Sequence, residues 1–270
     1  MTRNRSPMGE MPFLDHLEEL RWRILWSLLA IGVGAVIGFI AVQEFQAMEL
    51  LMRPLRNTLD ANLRLIYLNP VDGFFITLKL GLLVGLILAA PIVIYQIWAF
   101  LSPALEPQEK KMIIPALYLG TVLFMAGVAL AYFVVLPLTL VFFSQFQEEF
   151  LVAEYEANRT IGFITRLLLA FGVAFELPVV VMIFTAMGLV TPRFLRDKRR
   201  HAIVAITILA SLLTPGDLAS TFMMMVPLFI LYEGSILLAV LISRGRASEL
   251  DKEAPTPDAE APEGAVEVRG

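Results

Sequence analysis

The sequence predicts an all-α, polytopic integral membrane protein. Of its 270 residues, 58% are hydrophobic and only 17% are charged, and the mean hydropathy is +0.75. Soluble domains are typically about half apolar and about a quarter charged. The apolar residues are also gathered into long runs with few or no charges, which is what a hydrocarbon core of about 30 Å requires.

Six apolar runs are predicted to cross the membrane as helices. A helix rises about 1.5 Å per residue, so about 20 apolar residues span the hydrocarbon core. The runs are 22–42, 73–101, 112–143, 161–188, 202–213 and 218–242. The fifth run is too short for full thickness, because its residues reach only about 18 Å. We expect it to form a shallow hairpin with the sixth across the Thr-Pro-Gly-Asp turn at 214–217.

Prolines lie inside or at the ends of most of these runs. Each one removes a backbone hydrogen bond and tends to bend its helix, so the runs are expected to form a concave body. They are Pro91, Pro115, Pro137, Pro178 and Pro227.

The distribution of basic residues predicts the orientation, because cytoplasmic loops carry an excess of Lys and Arg. Most of the basic residues flank one set of run ends, and we place both termini on that side, in the cytoplasm. The loops at 43–72 and 144–160 are then outside, and their basic residues are Arg53, Arg56, Arg64 and Arg159.

The chain divides into three predicted regions. A cytoplasmic amphipathic segment at 1–21 precedes a six-helix membrane domain at 22–243. The tail at 244–270 is acidic and contains several prolines, so it is expected to be disordered.

The N-terminal segment places carboxylates next to the first run. Asp15 and Glu19 are four residues apart and share a helix face, with Glu18 beside them. Carboxylates bind guanidinium groups through paired, charge-assisted hydrogen bonds. The patch could therefore hold a cationic partner, or it could be a solvated helix entrance that compensates Arg21 and Arg23.

Three other acidic residues have functional and structural interpretations. Glu109 follows the second run, on the predicted side of Glu19, where it could add a carboxylate to the patch or favour the start of the next helix. Glu176 lies near the middle of the fourth run and should face protein or water, because an unpaired charge in lipid costs several kcal/mol. It could serve a membrane cavity or make a structural hydrogen bond. Asp217 could have a functional role, or it could simply close the turn after Thr214-Pro215-Gly216.

Several chemistries have no support in the sequence. The chain has no cysteine, which excludes disulfides, thiolate metal sites and cysteine nucleophiles. It contains neither a Gly-x-Ser-x-Gly motif nor a Walker A loop. Its two histidines, His16 and His201, are far apart in sequence. We expect no enzymatic activity, no metal, no cofactor and no nucleic acid partner.

Six stretches together resemble the TatC family, the receptor subunit of the twin-arginine protein translocase. They are distributed along nearly all of the membrane part, in the family's order and at its spacing. They are FLDHLEELR at 13–21, MRPL at 52–55, APIVIYQIWAFLSPAL at 90–105, AYFVVLP at 131–137, FGVAFELP at 171–178 and LTPGD at 213–217. The resemblance implies a cup-shaped body of six helices in the bacterial cytoplasmic (inner) membrane, with the last two helices short.

The same resemblance implies a function and a set of residues. The protein would bind twin-arginine signal peptides of folded proteins, self-associate, and work with TatA/TatB-type single-span partners in export driven by the proton-motive force. Glu19 and Glu109 match the family positions that bind the arginine pair, and Arg21 and Phe100 fall in recognition motifs. Further functionally sensitive positions match Pro54, Glu176 and Asp217.

Two other function classes are compatible with the residues alone. A proton-coupled solute transporter would use Glu176 as its coupling carboxylate and would move a small molecule in liposomes without partners. A scaffold would organise other membrane proteins without binding a peptide. Direct binding of a twin-arginine peptide distinguishes the receptor from both.

Overall fold

The regular secondary structure of the described residues is helical, apart from one isolated parallel bridge between Ile66 and Glu156. The computed structural model describes residues 13–59, 63–104, 113–144, 154–213 and 218–253. The α-helices in these ranges are α1 (Phe13–Glu44), α2 (Ala47–Thr58), α3 (Asp72–Leu101), α4 (Ile113–Leu130), α5 (Leu136–Ser144), α6 (Ala157–Ala174), α7 (Leu177–Ala186), α8 (Pro192–Asp197), α9 (Arg199–Leu213) and α10 (Leu218–Glu253). The predicted all-α class is confirmed.

Among the described residues, five segments are long and apolar enough to cross a membrane, and each coincides with a predicted span. They are Asp15–Glu44, Asp72–Leu101, Ile114–Ser144, Ala157–Ala186 and Thr221–Ser243. The fifth predicted span corresponds to α9, whose 15 residues reach about 22 Å, so it is short as expected. The expectation that the last helix is also short is wrong, because α10 has 36 residues and its apolar segment alone has 23.

Three predicted boundaries differ from the structure. Helix α1 runs from Phe13 through the first span without a break at residue 21. The segment at 43–72, treated as a loop, contains α2, which follows α1 after a left-handed turn at Gln46. Helix α10 continues to Glu253, into the predicted tail, and residues 254–270 lie outside the described residues.

Helices α1 and α3 are packed against each other through four glycines. Gly34 and Gly38 on α1 face Gly81 and Gly85 on α3, and both pairs have the four-residue spacing that places them on one helix face. A Cβ atom at Gly34 would lie 2.6 Å from the carbonyl oxygen of Gly85. Glycines permit this close backbone approach, which is a common way for membrane helices to associate.

The prolines affect the spans differently. Pro178 is the second residue of α7, and the fourth span is interrupted just before it, between α6 and α7. Pro137 cannot donate a hydrogen bond to the carbonyl of Phe133, and it follows a π-helical turn at Ala131–Val135. Pro91 and Pro227 lie inside the continuous helices α3 and α10.

The largest apolar core lies where α3, α5 and α6 meet α2 and α10. Its fully buried side chains include Leu55, Leu80, Leu136, Ile164, Phe171 and Met224. Many large apolar side chains on the outward helix faces are exposed, as expected for surfaces that contact lipid.

Candidate functional site

Glu19 lies on α1, at the end of the helical bundle where Arg23 of α1 contacts Gln96 of α3. Its side chain is 19% exposed, and its Oε1 atom accepts a hydrogen bond from Nη2 of Arg23 at 3.0 Å. The other nitrogen of this guanidinium, Nη1, donates to Oε1 of Gln96 on α3 at 3.1 Å. Oε2 of Glu19 is buried and has no hydrogen-bond partner among the described residues. The carboxylate therefore has unused capacity to accept hydrogen bonds.

An aromatic pair lies at the same end of the bundle. The ring of Phe100, in the last turn of α3, stacks on the imidazole of His16 on α1, with a centroid distance of 4.4 Å and an interplanar angle of 12°. Because His16 and Glu19 are three residues apart on α1, they lie on neighbouring positions of one face. The structure therefore brings the predicted residues Glu19 and Phe100 to one place.

Sequence reasoning missed three residues of this site. In the sequence, His16 stands out only as one of two widely separated histidines, Arg23 only as a charge that the acidic patch compensates, and Gln96 only as part of the stretch at 90–105. The spacing of Glu19 and Arg23, four residues apart on one helix, was the available signal for their ion pair. Gln96 gave no such signal, since its contact depends on the packing of α1 on α3.

The other predicted residues of the peptide site are placed differently. Arg21 is exposed, and positions two residues apart on a helix do not face the same way, so it does not join Glu19. Asp15 and Glu18 are also exposed. Glu109 and Asp217 lie outside the described residues.

Glu176 occupies the interruption of the fourth span and packs against α4. Its backbone nitrogen donates to the carbonyl of Val173 at 3.1 Å, and its own carbonyl accepts from Val179 and Val180 at 3.0 Å each. A Cβ atom at Gly120 would lie 2.8 Å from Oε2 of Glu176 and 3.4 Å from Ile94 on α3. The carboxyl group therefore fits because position 120 has no side chain.

The carboxyl group of Glu176 is not fully paired. Its Oε1 atom is buried and has no hydrogen-bond partner in the described parts of the chain. The structural hydrogen bond that is one interpretation of the sequence is not made by this oxygen atom within the described residues. A polar group buried without a partner costs free energy, so Glu176 would gain from a donor or acceptor supplied by water or a partner.

Pro54 lies at the other end of the bundle, in α2, beside a hydrogen bond that joins α2 to the third span. As an interior residue of α2 it cannot donate to the carbonyl of Leu50, four residues earlier. The hydroxyl of Tyr132, in the π-helical turn, donates to that carbonyl at 2.5 Å. About 25 residues of α1 separate Glu19 from this end, which is roughly 38 Å along the helix. The predicted residues therefore lie at separate places along the bundle.

Most other charged residues inside the spans have partners. Glu233 on α10 forms an ion pair with Arg199 on α9, with 2.7 Å between Oε2 and Nη2. Lys79 donates to the side-chain carbonyl of Asn158, whose amide contacts the buried carboxylate of Asp72. Among the described residues, no three His, Asp or Glu side chains are grouped closely enough to hold a metal ion.

Comparisons with known proteins agree with these features. The family model of the Sec-independent protein translocase protein TatC matches residues 15–227. The chain is 36% identical to the TatC protein of Desulforapulum autotrophicum over 247 residues, which cover 92% of this chain and 91% of that protein. It is 34% identical to TatC of Escherichia coli K12 over 241 residues, covering 88% and 92% of the two chains. A crystal structure of the twin-arginine translocase receptor TatC matches with a TM-score of 0.78 and 36% identity, over 85% of this chain and 100% of that chain.

Proposed function

Because the chain belongs to the TatC family of Sec-independent protein translocase proteins, we propose that it is the receptor that binds the twin-arginine signal peptides of folded proteins. It is a multi-pass membrane protein of the twin-arginine transport system. We place both termini in the cytoplasm, on the basis of the Lys and Arg distribution, so that the end with Glu19 faces newly made precursors. The proposed role is binding and assembly, without catalysis of a chemical reaction.

The partly buried carboxylate of Glu19 is the observation that carries this proposal. Arg23 already places a guanidinium on one of its oxygens, which demonstrates that the local geometry accepts this group. A signal-peptide arginine would bind the carboxylate in the same way, through charge-assisted and often bidentate hydrogen bonds. Arg23 can then retain Gln96 as its acceptor, so its own charge is not left without a polar partner.

The aromatic pair suits the same ligand. Arginine guanidinium groups are planar and stack on aromatic faces, whereas a lysine ammonium group offers neither a planar surface nor a fork of donors. We assign the Phe100–His16 stack as a wall of the peptide site. Glu109 is proposed as the second carboxylate for the arginine pair, and Arg21 as a supporting residue of the recognition motif.

The later steps of transport are assigned to other parts of the protein. We propose that TatA/TatB-type single-span proteins assemble with it, that several copies form the receptor complex, and that the proton-motive force drives export. Glu176 is proposed to act in assembly or translocation, because it has an unpaired carboxyl oxygen within a span. The family membership favours this function over the solute transporter that uses Glu176.

The test compares two neighbouring glutamates. Glu19→Gln removes the charge from the partly buried carboxylate, and Glu18→Gln removes it from the exposed residue beside it. Affinity for a twin-arginine signal peptide should fall roughly tenfold or more in Glu19→Gln, because contacts to a charged group are worth about 1.5–3 kcal/mol. It should stay close to the wild-type value in Glu18→Gln.

The peptide is measured by fluorescence anisotropy with purified protein, and a twin-lysine peptide provides the second comparison. We expect the twin-lysine peptide to bind weakly to all three proteins. Equal losses of peptide affinity in Glu18→Gln and Glu19→Gln would indicate that the peptide responds only to general surface charge. Wild-type peptide affinity in Glu19→Gln would show that Glu19 is not part of the peptide site.

A further inference from the structure

A cavity of about 390 Å³ lies between α2 and the third span, at the end of the bundle opposite Glu19. Leu50 and Tyr132 line the cavity beside Pro54, and the Tyr132 hydroxyl donates a hydrogen bond to the Leu50 carbonyl. The volume is within the usual range for small-molecule sites, about 300–1,000 Å³.

One side of the cavity is polar and carries an arginine. Arg53, Asn57 and Thr58 line it from α2, and Asn57 follows Arg53 by four residues on the same helix face. Arg53 forms no ion pair with any described residue, and this includes Glu49, one turn earlier on α2. The cavity therefore presents a guanidinium group beside an amide and a hydroxyl group.

The other side of the cavity is apolar and opens towards the outside of the bundle. Phe133 is 72% exposed and Leu50 is 52% exposed, and Pro137 lies next to them in the cavity wall. The third span has 31 residues, about 46 Å in length against a hydrocarbon core of about 30 Å, so each end projects by roughly 8 Å. Phe133 then lies roughly 8 Å inside the hydrocarbon boundary, within the acyl-chain region of one leaflet.

We propose that this cavity binds one phospholipid from the leaflet on the side of α2. The phosphodiester accepts hydrogen bonds from the Arg53 guanidinium, whose planar fork matches phosphate oxygens. Asn57 and Thr58 supply neutral donors to the same group, and an acyl chain lies along Phe133 and Leu50. The ligand class is a diacyl phospholipid with a net negative head group.

The arrangement favours a lipid over other anions for two reasons. The polar and apolar walls are adjacent, in the order in which a phospholipid presents its phosphate and its acyl chain. The position beside α2 is also at the membrane surface, because α2 begins three residues after the first span ends at Glu44. A free phosphate ion would leave the apolar wall without a partner.

The test uses the full chain, purified in detergent, and native mass spectrometry with phosphatidylglycerol. Arg53→Gln should weaken phosphatidylglycerol binding roughly tenfold, through loss of a charge-assisted contact. Arg56→Gln is the matched control, because Arg56 is exposed on the same helix, three residues away, and does not line the cavity. Arg53→Lys should recover part of the affinity because it keeps the charge without the fork.

Three further measurements decide the outcome. Diacylglycerol, which lacks the phosphate, should bind weakly, and Arg53→Gln should not change its binding. Inorganic phosphate should not compete with phosphatidylglycerol at equal concentration. Size-exclusion chromatography should give the same elution profile for all variants, which separates loss of the site from loss of the fold.

Each contrary result overturns the proposal. Equal losses in Arg53→Gln and Arg56→Gln would reduce the effect to surface charge on α2. Unchanged lipid binding in Arg53→Gln would show that Arg53 does not bind the phosphate. Effective competition by inorganic phosphate would indicate a site for an ion and not for a lipid. Displacement of the lipid by an acidic peptide but not by a second phospholipid would indicate a protein partner.

Discussion

The contact between Tyr132 and the carbonyl of Leu50 predicts a specific dependence on Pro54. Tyr132→Phe removes the hydroxyl that donates to this carbonyl at 2.5 Å. A protein hydrogen bond contributes about 0.5–1.5 kcal/mol net. The side chain of Leu50 is 52% exposed, which favours a partly solvated carbonyl, so we expect the free energy of unfolding to fall by about 1 kcal/mol.

Pro54→Ala should change the effect of Tyr132→Phe on the free energy of unfolding. Alanine restores a backbone N–H at position 54, which can donate to the carbonyl of Leu50 within α2. The hydroxyl of Tyr132 is then no longer the donor on which that carbonyl depends. In the Pro54→Ala background, Tyr132→Phe should therefore cost close to zero, and the coupling free energy between the two positions should be about 1 kcal/mol.

The assay is a double-mutant cycle, with unfolding of the detergent-solubilised protein by sodium dodecyl sulfate and detection by circular dichroism. Tyr118→Phe is the control, because Tyr118 lies in the same span, is 74% exposed, and makes no hydrogen bond among the described residues. It should change stability by less than about 0.5 kcal/mol. An equal cost of Tyr132→Phe in both backgrounds would refute the explanation of Pro54.

Two further predictions concern the glycine crossing and the intramembrane glutamate. Gly85→Ala should destabilise the protein by about 1–3 kcal/mol in the same unfolding assay, because the new Cβ atom would lie 2.5 Å from Cα of Ala35. Gly32→Ala is the control, because a Cβ atom at Gly32 would have nothing within 4 Å. It should be neutral or slightly stabilising. Glu176→Gln should leave signal-peptide affinity within about twofold of wild type, because it lies outside the Glu19 site, and should reduce transport into membrane vesicles. Equal losses in binding and transport would contradict the separate roles proposed for Glu19 and Glu176.

The helices could be predicted from the sequence because the bilayer imposes a length on each span. The apolar runs, the short fifth span and the interruption near Pro178 all follow from local composition and from the missing N–H of proline. The length of the last helix was misjudged because the expectation came from the family resemblance, whereas the run at 218–242 is itself long enough to span. Helix α2 was missed because a proline within a short amphipathic segment resembles a loop.

The contacts of the site could be predicted only in part. The acidic patch was visible in the sequence, and so was the four-residue spacing of Glu19 and Arg23. The contact of Arg23 with Gln96 depends on how far α1 slides along α3, and the glycine pairs set that register. Those pairs carry their own signal, since Gly34 and Gly38 repeat the spacing of Gly81 and Gly85, but one sequence does not identify which pair meets which.

Helix α3 connects the two carboxylates on which the proposed function depends. Gln96 holds the guanidinium that pairs with Glu19, and Ile94, two residues earlier, borders the space at Gly120 that Glu176 fills. The two contacts are separated by about 3 Å along the helix axis. The two contacts share one turn of α3, but under the proposed function Arg23 keeps Gln96 as its acceptor when a signal peptide binds Glu19, so neither contact of α3 has to change. The separate roles proposed for Glu19 and Glu176 therefore require only that α3 keeps its position, which is why Glu176→Gln is expected to reduce transport without reducing signal-peptide affinity.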